Sequence, residues 1–527
     1  MKPIATDIYT FSNLVGGGYL YVDKTGILAD LITGYRGKQF FFSRPRRFGK
    51  SLTVTTLKSI FEGRRELFKG LAIDRRDYDW KPYPVIRLDM SMTFAETVEE
   101  FRLKSNEQIR VNRDRLGLSF ELDASADVSF SRLVAAAAAS SESKQVVLLV
   151  DEYDKPLLGH LGRPTVEAFR TALKSFYSVI KATEALQRFT FITGVSKFSK
   201  VSIFSDLNNL VDLTMDARAA TLAGYTHEEV KANFAEHLAA LGEANGLTPE
   251  AAFDRVVRMY DGYRFHHAGA PVFNPVSLGR CFADGEFRSY WYETGTPTFL
   301  VNMLKARPVD ISRVEVSEVD LGTYEPSNPS LLPLLYQTGY LTIKGFRALG
   351  NKRLYTLGFP NEEVCDAFNS SLMPVYTDID GIELGSVQTR CAEALLAHDV
   401  DGFVESMKDF FANVPYTLTD RGGEQVFQAI LYTALRFVGV CVRAEVVTNR
   451  GRIDAVVHCP NDVYVIEVKL DRSAQEAIDQ IKARGYAEKY RASGARVTLL
   501  GINFSSKVRQ IDDVRVEAAG IGRVVAA

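Results

Sequence analysis

At 527 residues the chain is too long for one hydrophobic core, so several folding units are expected. A composition of 46% hydrophobic, 24% charged and 11% aromatic residues supplies ample core material and excludes a disordered chain. The formal net charge of −2 excludes a global basic field, so any contact with nucleic acid must rest on local clusters such as Arg44, Arg46 and Arg47.

The cysteines (Cys281, Cys365, Cys391, Cys441, Cys459) form no CxxC pair, which argues against a zinc site or a disulfide framework and fits a reducing cytoplasm. No apolar run reaches the roughly eighteen residues of a membrane span, and Met1 to Thr10 lacks a signal-like core, so neither spanning nor export is expected.

Along the chain, short apolar runs at Gln39–Ser43, Val85–Asp89, Val146–Val150 and Phe189–Thr193 alternate with longer helical stretches. That alternation predicts a parallel sheet covered by helices, within a first domain over residues 1–225. Residues 226–364 are more helical, punctuated at Asp261-Gly262, Asn274-Pro275 and Gly295-Thr296-Pro297, and read as a helical, lid-like second domain. Residues 365–527 begin with a helical connector and continue from Glu424 as a helix, hairpin and helix.

The first run ends in Arg44-Pro45-Arg46-Arg47-Phe48-Gly49-Lys50-Ser51 and a helical stretch from Leu52 to Phe61. Strand, loop and helix in that order can surround a triphosphate with backbone N–H groups, with Lys50 on the β and γ oxygens and Ser51 on Mg²⁺. Arg44 stands where the G-x-x-x-x-G-K-[ST] pattern has its first glycine. The strand Val146–Val150 runs into Asp151-Glu152-Tyr153-Asp154, which places acids at the C-terminal edge where open α/β sheets bind ligands. There Asp151 would orient the Mg²⁺ shell and Glu152 would polarise an attacking water. The next strand ends at Thr193-Gly194-Val195-Ser196, where Thr193 or Ser196 could sense the γ-phosphate.

Near the C-terminus, Gly451 to Val457 and Val463 to Leu470 flank the turn formers Cys459-Pro460-Asn461-Asp462, the pattern of a β-hairpin. Setting His458 opposite Val463 brings Asp454 opposite Glu467, with Cβ atoms about 4.5–5.5 Å apart. Period-two alternation puts Lys469 on the face of Glu467. Two facing acids on an apolar hairpin repel unless a cation sits between them, and Mg²⁺ held there would lower the pKa of bound water for attack on a phosphodiester. Mn²⁺ can stand in for it. Lys469 would position that water or stabilise the charge forming at phosphorus. Glu424 shares a helical face with Phe427 and Leu431, and Ser473 with Glu476 forms a capping box that opens a helix carrying Gln480.

These residues together resemble two families. Tyr21-Val22-Asp23-Lys24-Thr25, the Arg-Pro-Arg-Arg loop, Asp151-Glu152-Tyr153-Asp154 and Tyr260-Asp261-Gly262-Tyr263 resemble the bacterial AAA-ATPase-like family of P-loop NTPases. Gly451-Arg452-Ile453-Asp454, Ile466-Glu467-Val468-Lys469 and Gly485 to Tyr490 resemble the PD-(D/E)XK nuclease domain commonly fused to it. The resemblance makes Arg44 a usual member of the loop. It implies Asp454, Glu467 and Lys469 as the nuclease signature, with Glu424 and Gln480 as the helix-borne acid and glutamine. Ile453 stands where the superfamily is named for proline.

The expected fold is therefore α/β: a P-loop NTPase parallel sheet with a helical second domain, then an α/β restriction-endonuclease-like domain. The expected function is ATP hydrolysis joined to metal-dependent cleavage of DNA or RNA, in defence or mobile-element biology, with a homo-oligomer compatible with the site. The competing reading is a nucleotide-dependent switch whose C-terminal domain binds nucleic acid or a partner without cutting.

Overall fold

The computed structural model describes residues 1–35, 37–198, 209–291, 314–322, 330–368, 381–412, 441–444, 447–448, 451–452, 455–459, 461–488, 490, 494–508 and 510–519. The described residues fall into two compact units, Met1–Trp291 with Val314–Glu363, and those from Val364 onward.

The first unit is built on a parallel sheet of β1 (Gln39–Ser43), β2 (Val85–Asp89), β3 (Val146–Asp151), β4 (Gln187–Gly194) and the short β5 (Val211–Asp212), in the order β2-β3-β4-β1-β5. Every residue of β1 and β3 is buried, which is why these strands read as unbroken apolar runs and not as an alternation. From β1 the chain crosses over β4 and β3 to reach the edge strand β2, so the loop after β1 opens above the C-terminal ends of β3 and β4. The crossover helix Lys50–Phe61 packs against β2, β3 and β4 and buries Val54, Leu57, Ile60 and Phe61.

Residues 226–291 and 314–363 lie in the same compact unit as this sheet. Their helices Ala235–Ala244, Pro249–Tyr260 and Pro275–Asp284 share a core of Phe234, Leu241, Val256, Tyr260, Leu278 and Cys281, and Val22 from the N-terminal segment joins it. An antiparallel sheet also stands there, made of β6 (Val314–Ser317), β7 (Thr342–Leu349) and β8 (Lys352–Gly358) in the order β6-β8-β7. β8 runs from exposed Lys352 and Arg353 to buried Leu357 and Gly358, with no strict alternation, so helical reading of this segment passes over it.

The second unit carries a mixed sheet of β9 (Cys441–Ala444), β12 (Ala455–His458), β13 (Asp462–Leu470), β14 (Arg496–Ser505) and β15 (Gln510–Ala518), in the order β15-β14-β13-β12-β9. A small ladder pairs β10 (Val447–Thr448) with β11 (Gly451–Arg452). Tyr464, Ile466 and Val468 face a core shared with Leu395, Phe403, Met407 and Phe411 of two helices, Gly381–Leu396 and Val400–Ala412. Val463 and Val465 face the opposite way, toward Ile478 and Ile481 of the helix Ala474–Ala483. That helix starts where the Ser473 hydroxyl accepts the Glu476 N–H at 3.2 Å. It lies so close to β14 that a Cβ on Gly501 would stand 2.3 Å from the Ala474 carbonyl oxygen, so only glycine fits there.

Candidate nucleotide and nuclease sites

The loop Arg44 to Gly49 leads from β1 into the helix Lys50–Phe61, and Gly49 makes the turn in the left-handed region, at φ 89°. Its arginines separate into different tasks. Arg44 is buried, with Nη1 donating to the carbonyls of Ser43 and Thr214 at 2.8 Å and Nη2 to that of Ala219 at 3.0 Å. Its guanidinium also lies over the rings of Phe42 and Phe265, at 4.4 and 4.1 Å. Burial pushes its pKa down to about 10. Arg44 therefore ties the base of the loop to the fold, and its side chain is not free to meet a phosphate. Arg47 donates to the Tyr290 carbonyl at 3.3 Å, whereas Arg46 is exposed. Phe48 is buried edge-on against Tyr263 and Phe265, and Pro45 sits where a Cβ on Gly339 would come within 2.8 Å of it.

Lys50 is buried and donates to the carbonyls of Arg44 and Pro45, at 3.0 and 2.9 Å. Burial lowers its pKa, and the nearby charges of Glu152, Asp151 and Asp154 oppose that shift. Among the described residues, the backbone N–H groups from Arg46 to Ser51 donate no hydrogen bond. Such a run of unpaired amides at a helix N-terminus is a cradle for anionic oxygens. With an ammonium and carboxylates around it, this donor set fits a nucleotide triphosphate with its divalent ion.

Asp151, the last residue of β3, is buried and accepts the Thr193 hydroxyl at 2.6 Å, with Arg87 Nη2 3.9 Å away. Asp154 is also buried, its Oδ2 accepting the N–H groups of Ser196 at 2.6 Å and Val195 at 3.1 Å. Burial pushes its pKa up to about 6. Glu152 lies between them with φ at 51°, a strained conformation for a non-glycine residue. Its carboxylate makes no hydrogen bond among the described residues. The three acids thus divide into two that brace β4 and one that is available to a water.

In the second unit, β12 and β13 pair antiparallel, His458 with Val463, Val457 with Tyr464, Val456 with Val465 and Ala455 with Ile466. This is the register expected from the sequence over the described positions; Asp454 lies outside the described residues, as does Glu424. Glu467 and Lys469 are both buried on the face toward the helix Ala474–Ala483. Lys469 Nζ donates to Glu467 Oε1 and to Gln480 Oε1, each at 2.9 Å, and the Gln480 amide donates to Glu467 in turn. A desolvated ion pair is seldom kept for stability alone, so its place beside the hairpin marks a candidate site. Among the described residues no three His, Cys, Asp or Glu side chains gather to hold a metal; Glu467 is the described carboxylate that could contribute to one.

Residues 4–204 match the AAA-ATPase-like family, described as a predicted AAA-ATPase, and residues 422–514 match the PD-(D/E)XK nuclease superfamily. An uncharacterized protein in the vnfD 5′ region of Azotobacter chroococcum mcd 1 is 37% identical over 534 residues, covering 98% of this chain and 99% of that protein. The chain belongs to the AAA-ATPase-like family, with a C-terminal PD-(D/E)XK nuclease superfamily domain. A solved structure of the Aeropyrum pernix ORC1 protein in complex with DNA aligns with 65% of the chain and 89% of its own length, at 12% identity and a TM-score of 0.24. No helix among the described residues of this AAA-ATPase-like protein is long and apolar enough to cross a membrane.

The structure brings Lys50, Asp151 and Glu152 together around the loop, and Glu467, Lys469 and Gln480 around the hairpin. Ser51 lies in the first turn of the helix, its hydroxyl without a hydrogen bond among the described residues. Ser196 is buried beside β4, joined to Asp154 through its N–H. Sequence reasoning gives Asp154 no role of its own, although its place in the Asp151–Asp154 run is a signal. Gln337, whose Oε1 accepts the Lys197 N–H at 2.7 Å, lies 140 residues from its partner, and no local pattern points to it.

Proposed function

We propose that the chain binds and hydrolyses ATP with Mg²⁺ in its first unit and cleaves phosphodiester bonds of DNA or RNA, with Mg²⁺ or Mn²⁺, in its second, nucleotide state governing the cut. The observation that carries the first part is a buried Lys50 that, among the described residues, is hydrogen-bonded only to its own loop's carbonyls, beside backbone N–H groups unpaired among those residues and with Asp151 and Glu152 nearby. Arriving phosphates offer Lys50 a better acceptor than the carbonyls of Arg44 and Pro45, and Arg46 through Ser51 supply the amides. Ser51 and Asp151 would hold the divalent ion, Glu152 would take the proton of the attacking water, and Ser196, on the turn after β4, would sense the γ-phosphate.

The second part is supported by the Glu467, Lys469 and Gln480 network on the strand paired to Ala455. Asp454 and Glu467 would hold the metal, which lowers the pKa of a bound water, and Glu424 would add a carboxylate. Gln480 fixes Lys469 where it can donate to the oxygens at phosphorus. Purified protein incubated with labelled DNA and RNA and Mg²⁺ or Mn²⁺, with and without ATP, is expected to cut at least one substrate and to lose cutting in Asp454→Ala. Hydrolysis of ATP without any cutting would instead favour a switch whose C-terminal domain binds nucleic acid or a partner.

A further inference from the structure

The turn that follows β4 is held in an unusual way. Its successive backbone N–H groups are each taken by a side chain from another segment: Val195 and Ser196 by Asp154 at 3.1 and 2.6 Å, Lys197 by Gln337 at 2.7 Å, and Phe198 by the Tyr153 hydroxyl at 3.4 Å. Its carbonyls are held likewise, Val195 by the Ser43 hydroxyl at 2.6 Å and Ser196 by the Tyr153 hydroxyl at 2.9 Å. Gly194 makes the approach feasible, because a Cβ there would stand 2.6 Å from the Tyr153 ring and 2.7 Å from Asp154 Oδ1. Just before the turn, the Gly194 carbonyl accepts the Arg44 N–H at 3.2 Å, so turn and phosphate loop share one backbone link.

Resting on the ATP-hydrolysis reading above, we infer that Asp154, assisted by Gln337, is a positioning residue for hydrolysis, which fixes the Val195–Lys197 turn against the phosphate loop so that Ser196 and Thr193 stand in register with Lys50. A neutral hydrogen-bonding side chain would serve a merely structural turn at least as well, since a buried carboxylate is disfavoured by desolvation. Among the described residues, the charged groups facing Asp154 are Lys50 from the helix after the loop and Glu152 from its own segment, and the Tyr177 phenol faces it from the helix Val166–Ala182. Lys50 favours its ionised form and Glu152 opposes it. When phosphates draw Lys50 away from the loop carbonyls, the opposing charge beside Asp154 changes, and the turn that Asp154 holds is linked to that event.

The test is steady-state ATP hydrolysis, affinity for a non-hydrolysable ATP analogue, and thermal unfolding, all on the full chain. For Asp154→Ala, kcat is expected to fall about 10- to 10²-fold while analogue affinity stays within about threefold of native, the pattern of a displaced positioning group. Asp154→Asn keeps one acceptor oxygen, so its kcat should lie between those of Asp154→Ala and the native chain. Its unfolding temperature at pH 7.5 should not fall below native, because the buried charge is gone. Gln337→Ala should lower kcat by less than Asp154→Ala does. Native kcat in Asp154→Ala overturns the inference, as does a joint fall of kcat, affinity and unfolding temperature in both Asp154 variants, which marks a scaffold role alone. A native chain that hydrolyses no ATP overturns the reading beneath it.

Discussion

The two sites neutralise their buried charges in opposite ways. Around the phosphate loop three buried charges are met by backbone: Arg44 by three carbonyls, Lys50 by two, and Asp154 by two N–H groups. On the hairpin the charges meet one another, Glu467 with Lys469 and both with Gln480. Backbone partners cannot be mutated or swung aside, so the first site is set in shape before any ligand arrives. Side-chain partners depend on each other, so loss of one strands the next in a low-dielectric interior.

The largest effect that sharpens this contrast is on chemistry. Lys50→Ala is expected to reduce ATP hydrolysis by about 10³-fold, since one preorganised charge at a transferring phosphoryl group is worth that order of rate. Its fold should survive, because only backbone carbonyls lose a donor; circular dichroism and a phosphate-release assay check both halves of the statement.

On the hairpin the order reverses and stability suffers first. Lys469→Met leaves Glu467 buried without its cation and should destabilise the second unit by about 3–5 kcal/mol. Adding Glu467→Gln should return much of that loss without restoring cleavage. Both tryptophans, Trp80 and Trp291, lie in the first unit, so pulse proteolysis, not tryptophan fluorescence, reads this unfolding.

Arg44→Met should cost about 2–3 kcal/mol in the first unit, the penalty for carbonyls left without a donor, and there tryptophan fluorescence in urea is the direct readout. The smallest effect is a pH dependence. Glu363 is buried, its Oε1 accepting the N–H groups of Tyr290 and Trp291 at 2.5 and 2.8 Å, and burial pushes its pKa up to about 7 from an ordinary 4.5. A carboxyl raised in the folded state favours folding below pH 4.5, and that contribution is lost as pH rises through about 7. Glu363→Gln should therefore flatten the decline in unfolding temperature between those values.

Much of this architecture is legible in the chain. Phe40 to Phe42 and Val146 to Val150 announce buried strands because each is apolar throughout, and the basic loop after the first and the acids after the second follow from where such strands stop. The hairpin register could be counted because Val463, Val465 and Glu467 alternate strictly with Tyr464, Ile466 and Val468. Other features are long-range. The anchoring of Arg44 depends on the carbonyls of Thr214 and Ala219, 170 and 175 residues away, and that of Lys197 on Gln337. Nor does periodicity separate the antiparallel strands β6 to β8 from the helices around them, because each is short and half exposed.

On the reading proposed above, one chain carries two metal-dependent phosphate-cleaving sites. It is tested most directly by anomalous diffraction from crystals grown with Mn²⁺ and a non-hydrolysable ATP analogue. One manganese peak is expected between Ser51 and Asp151 beside the analogue's phosphates, and a second at Glu467 next to Asp454. Analogue bound at Lys50 with no manganese at Glu467 would contradict the nuclease half, and an empty phosphate loop would contradict the ATPase half.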